Sequence, residues 1–438
     1  VGKQAFEMTF PHSKSRTVLV YPGGTEIGLE IARSLKLCKE VRLVSAGMRD
    51  TPADFFFSKH YEVEPISSQT WSQQLKSAIE AERVTHILPA HDEVIVPLLE
   101  NERLLGAKIV ASGLETCRVA RSKRETVKRL TGVLPVPTIF DVSSAVEDFP
   151  VFLKPDRGQG SRGALVARTC EELDVALARD ASLVIQEYLP GEEYTVDCFS
   201  DREKGLLYAA GRKRIKITSG IASRSQFVQN TRFADYARRI HKALPFWGAW
   251  FFQLKASAEG ELKLLEVAPR IAGTSGLSRT SGVNLPLLGL YESDRIEVSI
   301  PNELLGIIVE RSLAPAYSHT IEYEALYLDY DDTLIVGGAV NSQLVKIAYQ
   351  CLNRKKAVVL VTRHAGDISA SLQKYRLGGL FDQIVHLKAG ESKRKAITHG
   401  KCVFVDDSFR ELEDIRRHPG VTALHVSSAD LLINYRGI

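Results

Sequence analysis

Five carboxylates stand at the ends of two apolar runs. LYLDYDDTL (326–334) places Asp329, Asp331 and Asp332 after one, and CVFVDDS (402–408) places Asp406 and Asp407 after another. Asp329 and Asp331 are two apart, so in extended backbone they point the same way. Carboxylates so close repel, the more so when buried, and the arrangement calls for positive charge. AVVLVTRH puts Thr362 near the end of a third apolar run, and AGESKRKAI offers Lys393 or Lys395. A parallel sheet brings the carboxyl ends of its strands together. Asp329, Asp331, Asp406 and Asp407 meeting one hydroxyl and one lysine would make a site for Mg2+ and a phosphate. The plain alternative is a set of solvated turn carboxylates.

A second candidate is FLKPDRGQGSRGALVAR (152–168), in which Lys154 precedes Gly158, Gly160, Ser161 and Gly163. Glycines let backbone N–H groups approach a phosphate closely. A Walker loop ends in its lysine and runs into a helix. Here the lysine comes first and the strand-like ALVAR follows, which describes a hairpin flap able to close over a triphosphate, or an ordinary glycine-rich hairpin. GRKRIKITSG (211–220) offers Arg214 and Lys216 to an anionic substrate; its alternative is a solvated strand edge, where basic residues block further pairing. PAHDE (89–93) sets His91, Asp92 and Glu93 just after a strand, where open α/β sheets hold ligands, although a helix start reads equally well. VYPGGTEIGLEIA (20–32) does not match G-x-G-x-x-G, and its Gly23, Gly24 and Gly28 read as close packing of helix on strand.

These residues need a scaffold. Residues 16–115 alternate strand-like and helix-like segments, the pattern of a parallel sheet covered by helices. Residues 116–300 open on a basic helix, CRVARSKRETVKRLTGV, and continue as strand-rich texture interrupted by FADYARRIHKAL: an α+β domain with a mainly antiparallel sheet. Residues 301–322, with a short apolar strand and then Leu313-Ala314-Pro315-Ala316, read as a linker. From 323 to 438 the α/β alternation returns, a doubly wound domain of ordinary size. The 57 basic and 53 acidic residues nearly balance, so bulk charge favours no nucleic-acid partner, and the basic cluster lacks the aromatic platform that single strands use. No apolar run approaches the roughly 20 residues of a membrane span, and the first residues lack the apolar core of a secretory signal. The six cysteines are scattered without C-x-x-C, as in a cytoplasmic protein with reduced thiols. A homodimer is compatible with the sequence.

The order of features in the first two segments resembles the ATP-grasp superfamily, especially the carbamoyl-phosphate-synthase-like ligases, over roughly residues 16–295. It joins Lys123 on the basic helix, the Lys154 loop, VIQEYLPGEEYTVD (184–197) and FFQLKASAEGELKLLEVAPRIAGTSG (251–276) behind an α/β domain. The resemblance implies a Rossmann-like pre-ATP-grasp domain (1–115) and an ATP-grasp domain (116–300). It assigns Lys123 and Lys154, with Gly160 and Ser161 of the loop, to the ATP phosphates, Glu187 and Leu189 to the adenine, and Glu193 to the ribose. Gln253 and Glu266 become Mg2+ ligands, and Arg270 faces the transferred phosphate. One departure is plain: the family pattern Glu-x-Asn-x-Arg here reads Glu266-Val267-Ala268-Pro269-Arg270, and alanine cannot ligate a metal.

The third segment resembles the haloacid-dehalogenase-like phosphotransferases, with D-x-D-x-T as Asp329-Tyr330-Asp331-Asp332-Thr333. The resemblance makes Asp329 the nucleophile and Asp331 the general acid and then base, its carbonyl also meeting the metal. Thr362 bonds phosphate, Lys393 (or Lys395) neutralises charge, Asp406 ligates Mg2+ and Asp407 supports it. The acid at Asp331 favours a phosphatase, and the short segments between motifs leave no room for a large cap. The expectation is a fusion enzyme using ATP and Mg2+, or Mn2+ in its place. It joins a carboxylate to an amine or related nucleophile through an acyl phosphate, and hydrolyses a phosphorylated substrate. The rival readings are an ATP sensor controlling the phosphatase, and a ligase with a non-catalytic third domain.

Overall fold

The computed structural model describes residues 16–158, 160, 162–218, 220–300, 307–312 and 314–436. The chain divides into two compact units, Val1–Leu313 and Ala314–Ile438, and no described helix is long and apolar enough to cross a membrane.

The first unit begins with strands β1 (Arg16–Tyr21), β2 (Val41–Gly47), β3 (His60–Glu62), β4 (His86–Pro89) and β5 (Lys108–Ile109). They form a parallel sheet in the order β3-β2-β1-β4-β5. β1 is buried on both faces, as a helix-covered parallel strand must be: Val18, Leu19 and Val20 are wholly inaccessible. The turn after it leads to the helix Glu26–Leu35, whose Thr25 cap accepts from the Gly28 amide. A Cβ on Gly28 would lie 2.5 Å from the Gly23 carbonyl oxygen, so glycine lets the helix close onto the strand turn.

Two further sheets follow. β6 (Ile139–Phe140), β7 (Val151–Lys154), β8 (Leu165–Ala167) and β9 (Val184–Glu187) pair as β6-β9-β7-β8. β10 (Glu193–Asp201), β11 (Gly205–Thr218), β12 (Ile221–Phe227), β13 (Gly248–Ala256), β14 (Leu262–Ala268) and β15 (Ile308–Glu310) form an antiparallel sheet ordered β14-β13-β10-β11-β12-β15. One core cluster joins Val18, Val20 and Leu88 of the first sheet to Phe199 and Tyr208 of the third and to Ile271 and Leu277 beyond it. Residues 16–115 and 116–300 therefore share apolar burial and form one unit. The expected linker 301–322 is also partly structural, since β15 pairs with β12 inside the first unit.

Two local expectations change. The basic run from Cys117 is not one helix but two, Leu114–Arg121 and Lys123–Leu130. Ser122 between them is extended and caps the second helix through the Glu125 amide, while its hydroxyl also meets Asp156 at 2.9 Å. The helix Cys170–Arg179 falls within the region read as strand. Thr169 caps it at the Glu172 amide, and Glu172 returns a bond to the Arg168 amide at 2.7 Å, a variant of the capping box.

The second unit is a parallel sheet with helices. Its strands are β16 (Ala325–Leu328), the small hairpin β17 (Ile335–Val336) and β18 (Ala339–Val340), β19 (Ala357–Thr362), β20 (Gln383–His386), β21 (Cys402–Asp406) and β22 (Val421–His425). The main sheet runs β20-β19-β16-β21-β22. Order reverses at β16, the point where such sheets open a ligand crevice at their carboxyl ends. Separate cores lie on its two faces, one around Leu326, Leu328 and Val403, the other around Tyr327, Val359 and Phe404.

Candidate functional site

In the first unit, a cavity of about 1030 Å³ opens between the four-stranded and six-stranded sheets. It gathers side chains from remote parts of the chain: Lys123, Lys154, Glu187, Leu189, Glu193, Gln253, Glu266 and Arg270, together with Arg214 and His91. Gly160 also lines it, at φ +61° in the turn joining β7 to β8. Ser161 lies outside the described residues. Lys216 is exposed and is not among the lining residues.

The cavity lining is mixed, with apolar side chains of Phe152, Val166, Leu189 and Leu265 among the charged ones. Glu187 accepts from the Thr138 amide at 3.0 Å and pairs with Lys263 at 2.7 Å. Lys154 reaches the Leu265 carbonyl at 3.4 Å, and Lys123 donates to the carbonyls of Asp156 and Gly158 at 3.2 Å. Burial pulls the Lys154 ammonium down to about 8, with Lys123 beside it pushing the same way. Burial likewise lowers Lys123, against the attraction of Glu266. Two ammonium groups held in a desolvated place await anionic partners.

Gln253 and Glu266 face each other across β13 and β14. The Gln253 amide oxygen accepts from Arg214 at 3.0 Å, and Arg214 also pairs with Glu193. Among the described residues no hydrogen bond or ion pair occupies the Glu266 carboxylate; Lys123, Lys154 and Arg270 act on it through space. An oxygen ligand amid cations fits a Mg2+ bridging phosphate oxygens. Arg270 donates to both carboxylate oxygens of Asp92 from one guanidinium edge, Nε to Oδ1 at 2.7 Å and Nη2 to Oδ2, and lies over the Phe251 ring at 5.1 Å. Burial works against both charges, but their attraction outweighs it, holding Asp92 low and Arg270 high. Asp92 thus sits at a helix start, where His91 caps the Glu93 amide, and meets the site by orienting Arg270. Burial lowers His91.

In the second unit, β16 and β21 are parallel neighbours, and the carboxylates at their ends converge. Oxygens of Asp329, Asp406 and Asp407 lie within 4.8 Å of one another. Lys393 bridges Asp329 at 2.6 Å and Asp406 at 2.7 Å, whereas Lys395 is exposed. Burial, joined by the Asp406 charge, pushes Asp329 up to about 6 despite Lys393. Burial opposes the Lys393 charge, but the two carboxylates outweigh it and raise its pKa. Three hard oxygen donors around one lysine fit a divalent cation, which would hold Asp329 ionised. Asp331 is half-exposed and pairs with His364 Nδ1 at 2.9 Å. Thr362 is fully buried at the end of β19, its hydroxyl accepting from the His364 amide.

Two contributors carry no assigned role in the sequence reading. The Thr333 hydroxyl bonds Asp407 at 3.1 Å and accepts from its amide at 3.0 Å, locking the two carboxylate loops together. His364 orients Asp331. Thr333 was visible within D-x-D-x-T; His364 had no signal beyond its place one residue after Thr362-Arg363.

Residues 179–310 match the family model described as ATP-grasp in the biosynthetic pathway with Ter operon. The chain is 23% identical over 326 residues to the carbamoyl phosphate synthase large chain of Methanothermobacter thermautotrophicus, covering 65% of this chain and 30% of that one. It is 29% identical over 210 residues to the D-alanine–D-alanine ligase of Fusobacterium nucleatum, covering 44% of this chain and 70% of the other. The chain thus spans less than a third of that large chain. In three dimensions it resembles the biotin carboxylase of Campylobacter jejuni in its β,γ-ATP complex, at a TM-score of 0.57 and 15% identity over 65% of this chain and 72% of that one. ATP-grasp enzymes bind ATP with Mg2+. Over residues 179–310 the sequence is thus similar to ATP-grasp proteins, and the fold is one shared with the biotin carboxylase of Campylobacter jejuni.

Proposed function

We propose that the first unit is an ADP-forming ligase that joins a carboxylate to an amine. The observation that carries it is the convergence of Lys123, Lys154, Glu266 and Arg270 on one cavity that also presents the apolar side chains of Phe152, Val166, Leu189 and Leu265. That cavity lies at the upper end of the roughly 300–1,000 Å³ range of small-molecule pockets, large enough for a nucleotide. The apolar side chains take the adenine, with Glu187 and Leu189 among its contacts, and Glu193 takes the ribose. Lys123, Lys154 and the Gly160 turn hold the phosphates. Mg2+ at Glu266 would neutralise phosphate charge. A substrate carboxylate oxygen attacks the γ-phosphorus and ADP leaves, with Arg270 compensating the charge on the transferred group. The amine then attacks the acyl carbon, phosphate departs and the amine loses a proton. The β7–β8 hairpin closing over the site would exclude water, which would otherwise hydrolyse the acyl phosphate.

The second unit is read as a Mg2+-dependent phosphatase of the haloacid-dehalogenase type. Its support is the buried Asp329–Lys393–Asp406 arrangement with Asp407 in reach. Asp329 attacks the phosphorus, and Asp331 gives its proton to the leaving oxygen. Asp331 then takes a proton from the water that opens the aspartyl phosphate. Asp331, held by His364, is exposed and so accessible to a bulky leaving group.

One experiment tests both halves: mixtures of candidate acids and amines with Mg·ATP, followed by mass spectrometry, using the wild type and Asp329→Asn. ADP and phosphate released only when acid and amine are both present support ligation. Tight ATP binding without turnover in any mixture would instead favour the sensor. A phosphorylated compound that accumulates only with Asp329→Asn supports the phosphatase; unchanged phosphate-ester hydrolysis by this variant would refute it.

A further inference from the structure

Around Glu266 the strands β13 and β14 present fewer metal ligands than a two-cation site requires. Facing positions on β13 and β14 pair Gln253 with Glu266 and Phe251 with Ala268. Positions 266 and 268 alternate onto one face of β14, so the oxygen-bearing Glu266 is followed there by a methyl group. That methyl is not solvated. Ala268, Phe251 and Ala272 form a small buried apolar cluster, each no more than 5% exposed, and the Arg270 guanidinium lies over the Phe251 ring. The remaining oxygen, the Gln253 amide, already accepts from Arg214 at 3.0 Å, and Arg214 is nearly buried and anchored by Glu193.

Mg2+ demands near-octahedral oxygen coordination and tolerates neither a methyl group nor a guanidinium as a ligand. One cation can complete its shell on Glu266 with phosphate oxygens and water. A second would need another carboxylate or amide oxygen on this face of β14 or opposite it on β13, where position 268 offers a methyl group and Gln253 is engaged by Arg214.

Building on the ATP-binding reading above, we propose that this site takes a single divalent cation per nucleotide, on Glu266. Arg214 and Arg270 supply the positive charge that a second cation would otherwise bring to the triphosphate. Gln253 then acts as the acceptor that holds Arg214 in place rather than as a metal ligand. The apolar cluster under Arg270 serves the same end, since a guanidinium is weakly hydrated and stacks on an aromatic face.

The test is a count. The full chain is titrated with Mn2+ in the presence and absence of a non-hydrolysable ATP analogue. Free Mn2+ is read by electron paramagnetic resonance and bound nucleotide by calorimetry; subtracting the nucleotide-free titration removes ions held by the second unit. The expected ratio is one nucleotide-dependent Mn2+ per bound nucleotide, and a ratio of two overturns the inference. Ala268→Asn restores an oxygen at this position and should raise the ratio to two; a ratio that stays at one would show that residue 268 does not limit the count, and also overturns it. Absence of analogue binding is a separate result, since it removes the nucleotide reading itself.

Discussion

Lys154 shows how burial and chemistry are coupled at a single residue. The residue is only 8% exposed and burial brings its pKa down to about 8. The charged form predominates below that pH and the neutral form above it. Because phosphate binds the charged form, nucleotide affinity is expected to be flat below about pH 8 and to weaken above it, by up to about tenfold per unit. Lys154→Met removes a charge-assisted hydrogen bond worth about 2 kcal/mol, roughly thirtyfold in Kd, and should abolish that pH dependence. Calorimetric titration with an ATP analogue between pH 7 and 9.5 checks both. In the second unit, Lys393→Met leaves Asp329 and Asp406 facing each other without their bridge. On the phosphatase reading proposed above, turnover is expected to fall about 100-fold or more, and the melting temperature of this unit to drop, since an uncompensated buried charge costs about 3–5 kcal/mol. Saturating Mg2+ should restore part of the stability but not the turnover; recovery of both would mean that the lysine serves only to balance charge.

At the scale of elements, the site depends on how short segments are ended. Ser122 stops one helix, caps the next and bonds Asp156, which sits in the turn beside the Lys154 strand. Lys123 follows directly and reaches the carbonyls of Asp156 and Gly158. Ser122→Ala is therefore expected to cost about 1 kcal/mol of stability through the lost cap and to weaken nucleotide binding beyond that loss, by releasing Lys123 from its place. Thermal melts and analogue titration on one sample separate the two effects; a stability loss with unchanged affinity would confine Ser122 to a structural role. The β14–β13–β10 ladder works similarly, because its register sets Glu266 opposite Gln253. Asp329 and Asp406 are brought together by the parallel pairing of β16 with β21, which aligns Leu328 with Val405 immediately before them.

For the whole molecule, the two units have independent apolar cores: the clusters around Leu326 and Tyr327 draw only on residues beyond 320. The segment 314–322 between them is largely exposed and carries no helix or strand. Limited proteolysis is expected to cut there first and to leave two protected fragments, identified by mass spectrometry. Early cleavage between residues 115 and 116 is not expected, because those flanking regions share the core of Val18, Phe199 and Leu277; such a cut would contradict that description. Asp329→Asn and Lys154→Met should each silence the activity of its own unit, and a loss of both activities from either variant would reveal coupling between them.

Periodicity and the ordered motifs determined which segments are strands and which residue types could bind phosphate or metal, because alternation and apolar runs are local properties of a chain. Asp329 with Asp406, and Lys123 with Lys154, were legible as partners through the rule that parallel strands align their ends and through resemblance. Other features were decided only by the fold. Lys393 rather than Lys395 reaches the carboxylates, Arg214 rather than Lys216 enters the cavity, Asp92 engages Arg270, and one apolar cluster joins residues 16–115 to residues 116–300. Each is a contact between residues remote in sequence. Such contacts are fixed by which faces are buried together, a choice governed by apolar area and charge pairing in three dimensions rather than by neighbours along the chain.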